Sequence, residues 1–168
     1  YPNAKLILAG DGDLRDDMKK YCLELGVGSQ IQFVGHKTSK EVSELMSGVD
    51  CFLHHSVTAS DGDQEGIPTV LMEAMATGLP VISTIHAGIT ELITNARDGY
   101  LVNERDIDGY VEAMVKVLGE KGNMGRNARQ TIEDRFNMKD QITSLVETYD
   151  YVISENNINQ NVNSLKDN

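Results

Sequence analysis

The sequence predicts an α/β fold with a doubly wound parallel sheet, and three observations lead to it. Short apolar runs of the kind that form buried strands recur along the chain as far as Val102. The segments between these runs keep apolar residues at helical spacing. Gly or Pro stands at most of the junctions, where strands and helices end. Because strands alternate with helices, we expect consecutive strands to lie parallel, with helices covering both faces of the sheet.

The predicted elements follow in a regular order. Strands are predicted at 4–9, 31–34, 49–53, 79–83 and 99–102. Helices are predicted at 14–25 and 42–46, after Pro68, around Glu91, and in three successive segments at 107–118, 123–135 and 138–152. The apolar stripe of the last segment is the most regular in the chain, and we expect it to be core. One domain is therefore predicted over residues 1–153, followed by a disordered Asn-rich polar tail at 154–168.

The composition excludes several classes of function. A chain of 168 residues suits a single domain with a sizeable core. The formal net charge of -11 argues against a nucleic-acid surface and against direct binding to anionic lipid. The sequence contains neither a signal peptide nor an apolar run of membrane-spanning length, so we expect a cytoplasmic location.

The stretch 65–83 is the candidate for chemistry. Pro68 is expected as the first residue of a short helix, where its missing N–H costs nothing. The free N–H groups of the first turn, from Thr69, Val70 and Leu71, would then form an anion site beyond the end of the sheet. In doubly wound sheets ligands bind at that edge, outside the carboxyl ends of the strands.

Two acids flank this helix start, with Glu65 before the turn and Glu73 inside the helix. Carboxylates accept hydrogen bonds from vicinal hydroxyls, so the pair suggests a ligand with a sugar, a diphosphate and a ribose. The spacing leaves a plainer alternative open, in which Glu65 caps the loop and Glu73 lies on a solvated helix face. Glycoside hydrolysis is not implied, because one acid lies on a loop and the other on a helix.

The charges around this stretch set a constraint on the ligand. From residue 41 to residue 96 there is no Lys or Arg, whereas the same stretch holds eight acidic residues. A helix end offers about half a unit of positive charge, which is too little for a diphosphate beside two carboxylates. A diphosphate therefore needs other cations, for which Lys37 is one candidate. Among the nearby histidines, His54 and His55 are expected to serve packing, and a sugar or phosphate contact is left open for His86.

The stretch Glu65-Gly-Ile-Pro-Thr-Val-Leu-Met-Glu73 resembles the E-x7-E motif of retaining glycosyltransferases with the GT-B fold, specifically family 4. The segments 2–12, 31–35, 74–82 and 99–102 match the same family in order and spacing. The wording from Ala59 to Glu91 is similar to that of bacterial exopolysaccharide and colanic-acid-type transferases. The resemblance covers roughly residues 1–150 and implies the Rossmann-like, C-terminal half of a GT-B fold.

The resemblance implies a hexosyltransferase that uses a UDP- or GDP-sugar to extend a glycan or lipid-linked acceptor in polysaccharide biosynthesis. Glu65 would be the catalytic-site acid and would bind hydroxyls of the donor sugar. Glu73 would bind the ribose diol, and Gly35 and His36 would lie against the base. The sugar and the phosphates would be held by the segment formed by Gly66, Ile67, Pro68, Thr69 and Val70. The resemblance implies no metal, no further cofactor and no general base in this half.

The same resemblance predicts that the chain is a C-terminal fragment that transfers nothing alone. The acceptor site, any membrane contact and the cations for the diphosphate would lie ahead of residue 1. The first strand of a Rossmann-like sheet is normally central, so without it the strands at 5–9 and 50–53 lose their shared neighbour. The gap would be closed by re-pairing or by an edge borrowed from a second copy. Two other functions stay open: a GT-B-like epimerase or phosphorylase, and a non-catalytic nucleotide-binding module.

Overall fold

The computed structural model describes residues 2–119 and 122–164 and confirms the predicted α/β fold with parallel strands. The chain divides into two compact units, Tyr1–Val49 and Asp50–Asn168. Each unit has its own sheet. The described strands therefore do not form one continuous sheet, and the strands at 6–9 and 52–53 have no shared neighbour among them, as predicted.

The first unit is a two-stranded parallel sheet with two helices. Its elements are β1 (Leu6–Ala9), α1 (Arg15–Glu24), a short 3₁₀ turn at Gly28–Gln30, β2 (Ile31–Gly35) and α2 (Ser39–Met46). Strand β1 pairs with β2 from Leu6 opposite Ile31 onward, and the register shifts by one residue at Ala9. Parallel strands need a crossover connection, and α1 with the 3₁₀ turn provides it.

Helix α2 begins with a capping box. The Glu41 N–H donates to Thr38 Oγ1 at 3.3 Å, and the Glu41 carboxylate accepts from the Thr38 N–H at 2.9 Å. These reciprocal bonds satisfy two amides that have no partner inside the helix. Lys37 Nζ also contacts Glu41 Oε1 at 3.0 Å. The hydrogen bond from the Thr38 N–H, followed by that from Lys37, lowers the pKa of Glu41 from 4.5 to about 2.

The second unit is a three-stranded parallel sheet, in the order β3-β4-β5, with five helices among the described residues. In chain order its elements are β3 (Phe52–Leu53), α3 (Thr69–Ala76), β4 (Val81–Thr84), α4 (Ile89–Leu92), β5 (Gly99–Val102), α5 (Ile107–Gly119), α6 (Met124–Arg135) and α7 (Met138–Ser164). Strand β4 lies in the middle, and all four of its residues are buried. Central strands of parallel sheets are covered on both faces, which explains this uniformly low exposure.

The core of this unit forms around Ile82 in β4. Its buried neighbours come from α5 and α6, and they are Ala113, Val117 and Met124. The Ile82 carbonyl accepts from the His54 N–H and from the Tyr110 hydroxyl, each at 3.0 Å. Strand pairing therefore continues one residue beyond the short β3, and α5 is fastened to β4. Burial raises the pKa of Tyr110, so the phenol remains a donor.

Helices α3 and α6 meet at a glycine contact. A Cβ built on Gly125, near the start of α6, would overlap the Gly78 carbonyl and lie 3.4 Å from Pro80 Cδ. Gly78 ends α3 with a φ of 82°, a conformation that favours glycine. Glycine at both positions lets the end of one helix lie directly against the start of the other.

Helix α7 corrects a prediction about the end of the chain. The stripe predicted as core is exposed, with Met138 76%, Leu145 54% and Tyr149 62% accessible. Helical spacing reports which residues share a face but not whether anything covers it. The helix runs to Ser164, into the stretch 154–168 for which disorder stays a prediction; residues 165–168 lie outside the described part. None of the described helices combines the length and apolar character needed to cross a membrane.

The capping box predicts that Thr38→Ala destabilises α2 by about 1 kcal/mol. The substitution removes the acceptor for the Glu41 N–H and the hydroxyl bound to its carboxylate. Amide hydrogen exchange of α2 measures the free energy of opening. Ser43→Ala, at an exposed position in the same helix, is the control and should leave protection unchanged or raise it. Equal protection in the two variants would contradict the capping role.

The glycine contact predicts that Gly125→Ala lowers the free energy of unfolding by about 2–3 kcal/mol, because α6 must move away from the Gly78 carbonyl. Urea denaturation measures this change. The control is Gly119→Ala at the end of α5, where a Cβ meets nothing within 4 Å. Because Ala favours helix over Gly, the control should be neutral or stabilising. A neutral Gly125→Ala would show that the two helices are not in close contact.

Candidate functional site

The candidate site lies at the carboxyl edge of the β3-β4-β5 sheet. Because the three strands are parallel, the segments that follow Leu53, Thr84 and Val102 start from the same edge. Hydrogen bonds join all three segments to one another. The sequence pointed to Glu65 in the first segment and left a contact open for His86 in the second, but it singled out no residue of the third.

The segments after β3 and β4 are first connected by two hydrogen bonds of one side chain, that of Thr84. Thr84 Oγ1 donates to the Ser56 carbonyl at 2.7 Å and accepts from the Ser56 N–H at 3.0 Å. Both residues are buried. The hydroxyl thus takes the place of a backbone partner where strand pairing has ended. It sets the position of Ser56 at the start of the acidic loop, the segment after β3 that carries Asp61, Asp63 and Glu65.

Glu65 is held through its carboxylate. Its Oε2 accepts from Ser56 Oγ at 2.9 Å and lies 3.7 Å from His54 Nε2, beyond hydrogen-bond distance. The side chain is 51% exposed, so the carboxylate is both oriented and open to solvent. Among the described residues Oε1 has no hydrogen-bonding partner, and a bound ligand can therefore reach it.

His86 lies behind Glu65 and is completely enclosed, with 1% of its side chain exposed. Its Nε2 accepts from the backbone N–H of Glu65 at 3.2 Å, and its Nδ1 lies 2.7 Å from Glu104 Oε1. A backbone N–H can only donate, so Nε2 carries the lone pair. The ring is therefore the neutral tautomer with its proton on Nδ1, donating to Glu104. Since both nitrogens are occupied within the protein, the structure excludes the direct ligand contact left open for His86.

Glu104 is the acceptor at which the loops converge. Besides His86, its carboxylate accepts from the Thr58 N–H at 2.9 Å and from Thr58 Oγ1 at 3.0 Å. The hydrogen bond from His86, followed by that from the Thr58 N–H, lowers the pKa of Glu104 from 4.5 to about 2. A carboxylate with several donors stays ionised because each bond favours the charged form.

The turn before α3 is shaped by a close approach at Gly88. A Cβ at this position would lie 2.8 Å from Ile67 Cγ1 and 3.3 Å from the Gly66 carbonyl oxygen. Only glycine allows the loop after β4 to lie directly against Gly66 and Ile67. The two residues are thereby fixed at the same edge as Glu65.

Helix α3 begins one residue later than predicted. Pro68 has a φ of -61° and a ψ of 121° and is the N-cap, so Thr69 is the first helical residue. The Leu71 N–H donates to the Pro68 carbonyl at 3.0 Å and is not free, in contrast to the prediction. The amides of Thr69 and Val70 remain as the donors of the first turn. Thr69 is exposed, Val70 is half-buried, and Glu73 is exposed on the same helix.

The structure places the remaining predicted residues in the first unit. Gly35 ends β2 with a φ of 69°, and its carbonyl accepts from the Gly10 N–H at 2.9 Å. His36 follows and is exposed. Lys37, the candidate cation for a diphosphate, is paired with Glu41. The second unit thus gathers Glu65, Glu73 and the segment between them, and the roles of Gly35 and His36 stay predictions.

His54 and His55 point to different neighbours, as predicted for adjacent residues at a strand end. The His54 ring lies parallel to Phe52 with centroids 6.4 Å apart, whereas His55 meets the edge of Tyr110 at 6.5 Å. In the described part of the chain no group of three or more His, Cys, Asp or Glu side chains is placed to hold a metal ion.

Comparison with known proteins identifies the family. The family model for glycosyl transferases group 1 matches residues 1–135. The chain belongs to the glycosyl transferases group 1 family. This membership confirms the predicted resemblance at the level of glycosyltransferases with the GT-B fold.

The relatives of this group 1 chain include bacterial polysaccharide enzymes. It is 38% identical over 130 residues to WcaL of Escherichia coli, named as a colanic acid biosynthesis glycosyltransferase, covering 75% of this chain and 31% of the relative. It is 36% identical over 133 residues to the amylovoran biosynthesis glycosyltransferase AmsK of Erwinia amylovora, covering 77% and 33%. The chain therefore spans about a third of the length of the curated relatives it matches.

Solved structures support the GT-B, Rossmann-like fold. Anabaena HepE, crystallised in complex with UDP, superposes with a TM-score of 0.80 at 22% identity, covering 90% of this chain and 42% of HepE. WaaG, a glycosyltransferase involved in lipopolysaccharide biosynthesis, gives a TM-score of 0.63 at 29% identity, covering 78% of this chain and 34% of WaaG.

Sequence reasoning missed three residues of this candidate site: Ser56, Thr58 and Glu104. Ser56 and Thr58 precede Glu65 in the loop after β3 but carry no motif that distinguishes them. Glu104 had a usable signal, because it is an acid two residues after the end of β5, at the edge where ligands bind. Its partner Thr58 is 46 positions away in the chain, and only the strand order brings the two together.

The low pKa of Glu104 predicts a defined acid response of the loop. A folded-state pKa of about 2 against the ordinary 4.5 means that the stabilisation is complete above pH 4.5 and is lost as the pH falls through 2. The protection factor of the Thr58 amide, which donates to Glu104, measures it. The difference between the wild type and Glu104→Gln should be constant from neutral pH to about pH 5 and then shrink. A difference that never shrinks would contradict the prediction.

Proposed function

We propose that this chain is the nucleotide-sugar-binding domain of a retaining glycosyltransferase of family 4. The donor is a UDP- or GDP-sugar, and the hexosyl group is transferred to a glycan or lipid-linked acceptor in the cytoplasm. The product belongs to the biosynthesis of an exopolysaccharide or cell-surface polysaccharide. The chain supplies the donor site, and the acceptor is bound by the rest of a full-length enzyme.

The geometry of Glu65 carries this proposal. One carboxylate oxygen is held by Ser56 while the other is open, and the free amides of Thr69 and Val70 begin a helix four residues further along. A carboxylate suits the hydroxyls of a sugar, and helix-start amides suit a phosphate. A nucleotide sugar presents these two chemistries side by side.

The other residues take complementary roles in the proposal. Glu73, exposed on α3, accepts from the ribose diol, and the main chain of Gly66 and Ile67 lines the sugar and phosphate. In a retaining transfer the bond from the anomeric carbon to the diphosphate oxygen breaks. The new bond to the acceptor oxygen forms on the same face of the sugar, and the departing phosphate oxygen takes the acceptor proton. In this reaction Glu65 orients the sugar and does not need to lose or gain a proton.

Relatives support the choice of donor and pathway. HepE crystallises with UDP and with UDP-glucose. A relative with 28% identity over 158 residues is named as a galactosyltransferase that uses UDP-Gal. The colanic acid and amylovoran relatives favour surface polysaccharide as the product. The UDP-glucose complex of HepE and the name of the galactosyltransferase point to one class of donor, a sugar activated by a nucleoside diphosphate.

Calorimetric titration with UDP-, GDP- and ADP-sugars, together with the free nucleotides, tests the proposal. Glu73→Gln should weaken binding of the preferred nucleotide sugar and of its free nucleotide by about 10- to 100-fold, because one charged acceptor for the ribose is lost. Glu65→Gln should weaken binding of the nucleotide sugar and leave binding of the free nucleotide unchanged. Glu147→Gln, at an exposed acid of α7, is the matched control and should bind as the wild type does.

Three outcomes would overturn the assignment. Failure of the wild type to bind any nucleotide sugar would reject the donor-site role. Unchanged affinity in Glu73→Gln would remove the ribose contact. An equal loss for nucleotide sugar and free nucleotide in Glu65→Gln would show that this acid does not face the sugar.

A further inference from the structure

His86 links two acids that have different tasks. On one side its Nδ1–H donates to Glu104, and on the other its Nε2 accepts from the main chain of Glu65. Glu104 is in turn fixed by two bonds from Thr58. The result is a continuous chain of hydrogen bonds from the end of β5, through the loop after β4, to the residue that carries the open carboxylate.

The position of Glu65 depends on two anchors. Ser56 holds its carboxylate and His86 holds its backbone. The loop that leads to it turns on itself, with the Ala59 N–H donating to the Asp63 carbonyl at 3.1 Å, and it is largely exposed. The backbone anchor therefore decides where the main chain of Glu65 lies before α3 begins.

A neutral imidazole is well suited to this place. The loop already carries Asp61, Asp63 and Glu65, and Glu104 lies behind it, so a further carboxylate would add repulsion. The neutral ring donates to Glu104 with one nitrogen and accepts from the Glu65 N–H with the other, so it bridges the two groups without adding charge. Donation to a carboxylate also makes the opposite ring nitrogen a stronger acceptor, because hydrogen bonds in a chain polarise one another.

We propose, resting on the function proposed above, that His86 is a positioning residue for the donor sugar. With Glu104 as its orienting partner, it fixes the main chain at Glu65 so that the open carboxylate oxygen meets the sugar hydroxyls. This positioning by His86 affects the sugar and not the nucleotide, since the amides of Thr69 and Val70 belong to α3 and are not bound by His86.

Two substitutions separate the two bonds of the ring. In His86→Asn the amide NH₂ lies near the place of Nδ1 and keeps the bond to Glu104, while the acceptor for Glu65 is lost. In His86→Gln the amide oxygen reaches the place of Nε2 and keeps the acceptor for Glu65, while the donor to Glu104 is lost. His55→Asn and His55→Gln are matched controls at an exposed histidine of the same edge.

Binding is measured with UDP-glucose against UDP, or with GDP-mannose against GDP, whichever pair the titration panel selects. His86→Asn should weaken the nucleotide sugar by about tenfold and leave the free nucleotide unchanged. His86→Gln should lose clearly less affinity for the nucleotide sugar, and the His55 variants should lose none. Equal weakening of sugar and free nucleotide, or an equal loss in both His86 variants, would reduce His86 to a packing residue and overturn the proposal.

A second measurement needs no donor and so separates this proposal from the proposed function. Nitrogen-15 spectra of the histidine-labelled protein should show the His86 proton on Nδ1. The Glu65 amide should exchange faster in His86→Asn than in His86→Gln. Equal exchange in wild type and both variants overturns the positioning role even if donors bind. If the wild type binds no nucleotide sugar, the proposed donor-site function fails, and the role of His86 toward the sugar fails with it. Exchange of the Glu65 amide still tests whether His86 holds the main chain of Glu65.

Should His86→Asn not fold, Glu104→Leu provides the alternative. Loss of the carboxylate leaves Nδ1–H without its acceptor, so the ring proton should shift toward Nε2 and the Glu65 amide should lose its partner. The nitrogen-15 spectrum reports the proton position and amide exchange reports the bond. An unchanged tautomer with an unchanged Glu65 amide would overturn the role of Glu104 as orienting partner.

Discussion

The carboxyl edge of the second unit depends on one pairing, the hydrogen bond between Glu104 and His86. Both groups are polar and the imidazole is fully enclosed, so the ring is stable there only if both of its nitrogens find partners. Glu104 satisfies one nitrogen and the Glu65 N–H satisfies the other. This requirement fixes three chain segments relative to one another: the acidic loop, the loop after β4 and the residues after β5. Without it, the open carboxylate of Glu65 would have only its bond to Ser56.

The same edge solves an electrostatic problem in an acidic protein. No Lys or Arg occurs between residues 41 and 96, so the described side chains of the loops after β3 and β4 include no permanent cation. The backbone amides of Thr69 and Val70 are donors at this edge and carry partial charge only, whereas the N–H of the neutral His86 ring is used by Glu104. Lys37, which the sequence suggested as a cation for a diphosphate, contacts Glu41 within the first unit.

Exposed apolar faces are the other notable property of the second unit. Helix α7 carries its stripe in solvent, and α5 exposes Ile107 and Val111 while burying Ala113 and Val117. Apolar residues at helical spacing therefore did not by themselves report burial in these two helices. In α5, Tyr110 and Met114 pack against the cluster around Ile82, whereas Ile107, Val111 and Leu118 at the same spacing are exposed. In α7 the described residues provide no cover for the stripe.

The sequence by itself determined the local architecture: the alternation of strands and helices, the five strand positions, the acid-flanked start of α3 and the family. These features depend on residues close together in the chain, because apolar periodicity and the conformational preferences of Gly and Pro determine local structure over a few positions. Only the tertiary structure decided the use of His86, Ser56 and Glu104 and the burial of the helix faces. Those outcomes depend on contacts such as that between Glu104 and Thr58, 46 positions apart. The order of the strands creates such contacts, and no local pattern encodes them.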